Sequence, residues 1–293
     1  MQKVKLTANI LFSGVGFQER GIVDSGVFDL DVLTTSDIDK DAILTYAAIH
    51  NGLTQKLVDN FFGYPSIEEM ILELQYKNIG YDPKKNKPYD WYARRKQEAF
   101  IKKYWLAMKL SHNLGDISRI RTLPEADFWS CSFPCQSISV AGKCKGFEPD
   151  SGTRSSLLWE NIRLLKDAVD NNKAPKYVMF ENVKNLVGKQ FYNDFMVLIE
   201  ILDVLGYNTY WKVLNAKDCG IPQNRERVFA MCLRKDIDNH AFTFPEPYDN
   251  GIRLEDTTET QIDEKYYVKT QRAESLIDRM LQEGRLKQIG FSN

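Results

Sequence analysis

The sequence lacks the features that mark membrane and secreted proteins. None of its apolar runs reaches about 18 residues, the length that a membrane-spanning helix needs. Residues 1–5 lead into a predicted strand and not into the apolar region of a signal peptide. We therefore expect a soluble, cytoplasmic protein.

The sequence also has few histidines and cysteines, and its net charge is close to zero. The five cysteines are an odd number without disulfide-like spacing, which is typical of reduced thiols. Only three histidines are present, and the cysteine spacing matches no usual zinc pattern, so we expect no metal site. A net charge of −1 gives no indication of nucleic-acid binding, and any such contact would need a local basic patch.

The pattern of apolar residues predicts an α/β protein. The 293 residues are enough for one large domain, and 43% hydrophobic residues are ordinary for a globular core. Predicted strands and helices alternate without an internal repeat, which favours a doubly wound, mostly parallel sheet. Strands are predicted over 8–12, 32–35, 176–180, 207–214 and 228–233, and helices over 17–24, 40–50, 90–110, 153–171, 187–205 and 270–283.

A glycine-bearing turn follows the first predicted strand. Gly14 and Gly16 lie in this turn, and Asp37 and Asp39 follow about 20 residues later. Such glycines let the backbone approach a nucleotide-like ligand, and an acid at this distance binds ribose hydroxyls. On these residues alone, turn-forming glycines and helix-capping aspartates explain the pattern equally well.

A thiol lies at the end of another predicted strand. The apolar stretch 126–133 runs into Pro134, Cys135 and Gln136. The carboxyl end of a parallel strand opens into the crevice where ligands bind, so Cys135 occupies a suitable place for a nucleophile. A cysteine after a proline is also commonly a small buried residue, and this alternative stays open.

Two more strand boundaries carry charged groups. Glu181 follows the strand 176–180, and Arg225 and Arg227 precede the strand 228–233. A buried carboxyl can act as an acid, and a guanidinium is a permanent cation. Taken singly, Glu181 could cap an element and the arginines could face water. Together with Cys135 at one sheet edge, they indicate a catalytic site.

These stretches, in this order, resemble the C5-cytosine DNA methyltransferase family. The resemblance covers roughly residues 8–250 and includes the stretches 10–17, 130–137, 142–147, 180–183 and 223–227. It implies a Rossmann-like fold of the S-adenosylmethionine-dependent methyltransferase type. We expect residues 1–250 to form the catalytic domain and residues 251–293 a C-terminal extension.

The resemblance implies S-adenosylmethionine as the cofactor and double-stranded DNA as the partner. It places Asp37 on the ribose, Ile38 against the adenine, Asp116 near the adenine amino group and Leu157 against the cofactor. The full expected cofactor set is Phe12, Ser13, Gly14, Gly16, Phe17, Asp37, Ile38, Asp116, Ile117, Pro134 and Leu157. Asp116 also fits a simple turn aspartate.

The implied reaction assigns a role to each predicted catalytic residue. Cys135 adds to C6 of a cytosine that has been swung out of the duplex. Glu181 contacts N3 of that base as an acid, and Arg225 or Arg227 contacts O2 as a cation. The polar loop over 137–152 is expected to close over the site.

Residues 54–112 form an apparent insertion. The stretch 76–112 holds ten Lys or Arg against three acidic residues, interleaved with aromatic residues. Such a stretch suits a nucleic-acid backbone. The alternative is a solvated helix whose aromatic side chains pack on the domain.

The family's target-recognition region and late motifs are not found among the roughly 60 residues after Arg234. We therefore expect a catalytic chain from a restriction-modification, phage or prophage setting that needs a second polypeptide or a continuation. Two other hypotheses are a non-catalytic relic that binds cofactor or a partner, and an RNA (tRNA) cytosine-5 methyltransferase.

Overall fold

Within the residues that the computed structural model describes, 2–82, 85–135, 138, 154–259, 261–267 and 269–285, six strands form one sheet. Their order is β2-β1-β3-β4-β6-β5. The strands are β1 Val4–Leu11, β2 Phe28–Ser36, β3 Phe128–Cys131, β4 Tyr177–Val183, β5 Tyr207–Asn215 and β6 Glu226–Arg234. Strands β1 to β4 pair in parallel, whereas β6 is antiparallel to both β4 and β5. The prediction of a mostly parallel α/β sheet is confirmed.

Helices connect these strands and cover the sheet. They are α1 Phe17–Asp24, α2 Lys40–His50, α3 Gln55–Asn60, α4 Ile67–Tyr76, α5 Glu98–Leu110, α6 Leu158–Asp170, α7 Tyr192–Val204 and α8 Gln271–Gln282. Side chains that accept backbone N–H groups fix where several begin, as Asp39 does for α2 and Ser66, in a capping box with Glu69, does for α4. Among the described residues, no helix is long and apolar enough to cross a membrane.

The main hydrophobic core lies around the middle strands. In β4 alternate residues are buried, so that Val178 and Phe180 join Trp129 of β3 and Leu164 of α6 in one cluster. Burying a large apolar side chain contributes about 1.5–3 kcal/mol, so this set stabilises the strands that lead to the site.

A second core forms inside the insertion. Met70, Ile71 and Leu74 of α4 pack with Met108 of α5 and with Ile43 of α2. Because α2 belongs to the sheet's own βα unit, the insertion is packed directly onto the domain.

Three helices begin later in the structure than the sequence pattern predicted. The helix predicted over 90–110 begins at Glu98, because Trp91 is buried in the second core and its indole N–H donates to the Ile79 carbonyl at 2.9 Å. The helices predicted from 153 and 187 begin at Leu158 and Tyr192, after tighter 3₁₀ turns. Periodicity continues through such turns and hides them.

Candidate active site

The predicted motifs meet at one edge of the sheet. Strands β1 to β4 are parallel, so their carboxyl ends, and the loops that follow them, lie together. Strand β6 is antiparallel and brings its beginning to the same edge, where Arg227 pairs with Val183. The reversed strand therefore carries the arginine motif to the described motif residues that follow β1, β3 and β4.

A cavity of about 1330 Å³ opens at this edge. It is lined by all four predicted catalytic residues and by seven of the predicted cofactor residues. These are Cys135, Glu181, Arg225 and Arg227, with Phe12, Asp37, Ile38, Asp116, Ile117, Pro134 and Leu157. The structure thus gathers residues from seven separate stretches of the chain around one space.

The other four predicted cofactor residues do not line the cavity: Ser13, Gly14 and Gly16 lie in the β1–α1 turn, and Phe17 begins α1. Ser13 donates its backbone N–H to the Ser36 carbonyl, and Phe17 is 78% exposed. Gly14 has φ +54°, with no atom within 4 Å of the position that a Cβ would take. Gly16 has φ +83°, and a Cβ there would collide with the His50 imidazole. Gly16 is therefore required for the packing of the turn on α2.

The carboxylate of Asp37 is held by backbone N–H groups. One oxygen accepts from Gly14 at 2.8 Å, and the other accepts from Asp39 at 2.8 Å. Burial raises the pKa of Asp37, and these two hydrogen bonds oppose the rise. Asp39 is the N-cap of α2, so the capping explanation fits Asp39, and both Asp37 and Asp39 line the cavity.

Asp116 begins a short 3₁₀ turn that reaches Arg119. One carboxylate oxygen accepts from the backbone N–H and hydroxyl of Ser118, and the other accepts from the Asn78 side chain at 2.8 Å. The next residue, Ile117, is almost completely buried. Asp116 is thus both a turn aspartate and a cavity-lining group.

Cys135 is a free, half-buried cysteine in a loop held by two hydrogen bonds. Asn182 donates to the Phe133 carbonyl at 3.0 Å, and Ser155 donates to the Pro134 carbonyl at 2.8 Å. Cys131, four residues earlier, is buried, and burial raises the pKa of its thiol well above the usual range. Of these two thiols, Cys135 is the one that lines the cavity.

The sequence did not single out Ser155 or a structural role for Asn182. Both are conspicuous as polar residues inside apolar surroundings, with 0% and 2% exposure. The predicted loop 137–152 lies outside the described residues except for Ile138. The Ile138 N–H donates to the Cys135 carbonyl at 3.0 Å, and its carbonyl accepts from Asn185 at 2.6 Å.

Glu181 forms an ion pair with Arg227. Arg227 Nε lies 3.1 Å from Glu181 Oε1, and both side chains are mostly shielded from solvent. Burial raises the pKa of Glu181, while Arg227 and Arg225 act against the rise. Glu181 lies inside β4, opposite Phe229, so the predicted strand 176–180 ended too early. Its carboxyl group is fixed by the strand and lies beside two cations.

The insertion uses most of its aromatic side chains in packing. Trp91, Tyr104 and Trp105 are buried, which confirms the alternative prediction that aromatic residues dock on the domain. Lys102 and Lys109 pair with acidic residues of the insertion. Contact with nucleic acid by this segment stays a prediction that depends on its remaining basic residues.

Comparison with known proteins identifies the family. The family model described as C-5 cytosine-specific DNA methylase matches residues 78–290. The type II methyltransferase M2.ScrFI of Lactococcus lactis subsp. cremoris is 40% identical over 260 residues, covering 88% of this chain and 69% of the relative. The orphan methyltransferase M.SssI of Spiroplasma monobiae is 37% identical over 232 residues, covering 77% of this chain and 58% of that relative.

A solved structure supports the fold. The Entamoeba histolytica methyltransferase EhMeth superposes with a TM-score of 0.54 at 15% identity, covering 96% of this chain and 66% of that one. The match over residues 78–290 and the 40% identity confirm the resemblance predicted from the sequence motifs. The chain belongs to the C-5 cytosine-specific DNA methylase family.

Proposed function

We propose that the chain is the catalytic part of a DNA (cytosine-5-)-methyltransferase. It transfers a methyl group from S-adenosylmethionine to C5 of a cytosine in double-stranded DNA through a covalent adduct with Cys135. The observation that carries this proposal is the single cavity that joins a thiol, an acid beside two cations and the carboxylates of Asp37 and Asp116.

The cavity suits S-adenosylmethionine together with a base. Its volume of about 1330 Å³ exceeds the roughly 300–1,000 Å³ of a typical small-molecule pocket. Asp37 would accept hydrogen bonds from ribose hydroxyls, Asp116 from the adenine amino group, and Ile38 and Leu157 would provide apolar contact. When bound, S-adenosylmethionine supplies a methyl group on a positively charged sulfur.

The predicted catalytic residues that line the cavity would prepare the cytosine. The Cys135 thiolate forms a bond to C6, and the electrons of the C5–C6 double bond move toward N3 and O2. Glu181, whose pKa is raised by burial, gives its proton to N3. Arg225 or Arg227 stabilises the charge at O2. C5 then has the electron pair with which it takes the methyl group.

The last steps restore the aromatic ring. A base, which can be a water molecule from solvent, takes the C5 proton. The electrons of the C5–H bond then form the C5–C6 double bond as the C6–S bond breaks to release Cys135 as a thiolate. The proton on N3 returns to Glu181. No atom of the protein is consumed, so the site is ready for another turnover.

Recognition of a DNA sequence requires further parts. Base edges are read by side chains that reach into a groove, and these belong to an element that clasps the duplex. None of the described residues after 250 is buried, so this segment has no core of its own. We propose that a second polypeptide or a continuation of this chain supplies target recognition.

Tritium transfer from labelled S-adenosylmethionine tests the reaction. The purified chain is incubated at high concentration with mixed-sequence duplex DNA or with RNA, and the nucleosides are then separated. We expect slow, non-specific formation of 5-methyldeoxycytidine that Cys135→Ser abolishes. Label at another atom, or preference for RNA, would contradict the proposed reaction. Efficient site-specific labelling by this chain alone would contradict the need for further parts.

A further inference from the structure

The insertion provides one wall of the cavity. Its segment 77–81 follows α4, and Asn78, Gly80 and Tyr81 line the same space as Ile38 and Asp116. The segment therefore lies next to the two residues proposed to recognise adenine, although it comes from outside the sheet's own loops.

Gly80 connects this segment to Ile38. The Gly80 N–H donates to the Ile38 carbonyl at 2.6 Å. Gly80 has φ +84°, and a Cβ there would lie 2.7 Å from Cβ of Tyr89. Only glycine fits this backbone conformation and spacing. The contact ties the insertion to the loop after β2.

Lys77 and Asn78 connect the segment to Asp116. The Asp116 backbone N–H donates to the Lys77 carbonyl at 3.0 Å, and the Lys77 ammonium donates to the Asn113 carbonyl at 2.8 Å. The Asn78 amide donates to Asp116 Oδ2 at 2.8 Å. Asn78 is only 9% exposed and has φ +57°. Its side chain is therefore held firmly where it meets the carboxylate.

These contacts fix the direction of the Asp116 carboxylate. Ser118 holds one oxygen, and Asn78 holds the other. When both oxygens of a carboxylate accept hydrogen bonds from the protein, the carboxylate has a fixed orientation. Its remaining lone pairs then point in a defined direction before a ligand binds. Such preorganisation favours a ligand donor that matches this direction.

We propose that Asn78 is a positioning residue for adenine recognition. It holds Asp116 in the orientation in which the carboxylate accepts a hydrogen bond from the 6-amino group of the cofactor's adenine. This inference rests on the proposed binding of S-adenosylmethionine in the cavity. It also gives the insertion a part in cofactor selectivity.

The test compares two ligands that differ at the adenine amino group. Dissociation constants of S-adenosylhomocysteine and of its deaminated analogue, S-inosylhomocysteine, are measured by calorimetry for the wild type and Asn78→Gly. Glycine accepts the positive φ, so this variant removes the amide with little backbone strain. We expect about tenfold weaker binding of S-adenosylhomocysteine and a change within about twofold for the analogue.

Two further variants sharpen the result. Asn172→Gly changes an asparagine of the same φ, +57°, outside the cavity and should alter neither dissociation constant. In an Asp116→Ala background, Asn78→Gly should change binding by less than about twofold, because both residues act on one hydrogen bond.

The outcomes separate this inference from the proposed function. Equal weakening of both ligands by Asn78→Gly would assign Asn78 a purely structural role and overturn the inference. Unchanged binding of both ligands would overturn it as well. If the wild type binds neither ligand, the proposed cofactor site is itself wrong, and the inference falls with it.

Discussion

Arg227 Nε lies 3.1 Å from Glu181 Oε1 at the edge where β4 and β6 meet. Two requirements of the proposed reaction, an acid for N3 and a cation for O2, are thereby placed side by side. Burial favours the protonated form of Glu181, and the two arginines favour the ionised form. The proposed proton transfer from Glu181 to N3 of a bound cytosine depends on this balance.

Replacing Glu181 should affect turnover far more than cofactor binding. Glu181→Gln removes the transferable proton and should lower kcat by about 10²–10⁴-fold, with nearly unchanged affinity for S-adenosylhomocysteine. Steady-state kinetics and calorimetry measure the two quantities. Glu226→Gln is the control, because Glu226 pairs with Lys184 on the surface. Equal losses of turnover in both variants would remove Glu181 from the mechanism.

Asp37 should contribute to cofactor affinity. Asp37→Ala should weaken binding by about 1–3 kcal/mol through loss of charge-assisted hydrogen bonds to ribose. Asp29→Ala, at the exposed beginning of β2, the strand that Asp37 follows, is the control. Thermal unfolding shows whether loss of the Gly14 and Asp39 contacts has loosened the turn. An unchanged dissociation constant for Asp37→Ala would exclude Asp37 from the site.

Basic residues of the insertion that form no ion pair with a described acid should determine its contribution to DNA binding. Reversing Arg94, Arg95 and Lys96 to glutamate should reduce DNA affinity and flatten its dependence on salt, because fewer counterions are then released. Reversal of Lys102 and Lys109, which already pair with acids, is the matched control. If the salt slope stays the same in the first variant, the segment is a solvated surface.

Glu19 should make stability depend on pH. It is 2% exposed, and burial raises its pKa from 4.5 to about 7, although hydrogen bonds with its own backbone and with Tyr46 act against the rise. Because the pKa of Glu19 is higher in the folded state, its protonation favours folding. This contribution to the unfolding free energy is fully present below the unfolded pKa of 4.5 and is lost as pH rises through about 7.

Glu19→Gln should therefore stabilise the protein at pH 8 relative to the wild type. The difference in unfolding free energy should grow by about 3 kcal/mol between acidic pH and pH 8. Urea unfolding of the two proteins at both pH values measures it. A difference that does not change with pH would show that burial does not raise the pKa of Glu19.

The sequence predicted the sheet and most of the site, because motifs at strand ends converge in any parallel sheet. Asp37, Cys135 and Glu181 lie around one cavity for this reason. The reversed direction of β6 was not predicted, since an apolar strand has the same pattern in both directions. That reversal is what brings Arg227 to Glu181.

Contacts between segments that are distant in the sequence could not be predicted from it. The role of Asn78 depends on a loop that meets Asp116, 38 residues later, and no periodicity encodes such a meeting. Gly16 was assigned to the cofactor from its motif, yet its missing side chain makes room for His50. In each case the deciding partner lies on another element, and its distance follows from packing.

The most direct test of the central claim is to identify the residue that bonds to the base. Duplex DNA carrying 5-fluorocytosine traps the adduct, since fluorine at C5 cannot leave as a proton does, and even a slow enzyme accumulates it. After digestion, mass spectrometry locates the modified peptide in the wild type, Cys135→Ser and the control Cys219→Ser. We predict an adduct on Cys135 that survives Cys219→Ser and disappears in Cys135→Ser. An adduct on Cys131 or Cys144 would contradict the assignment.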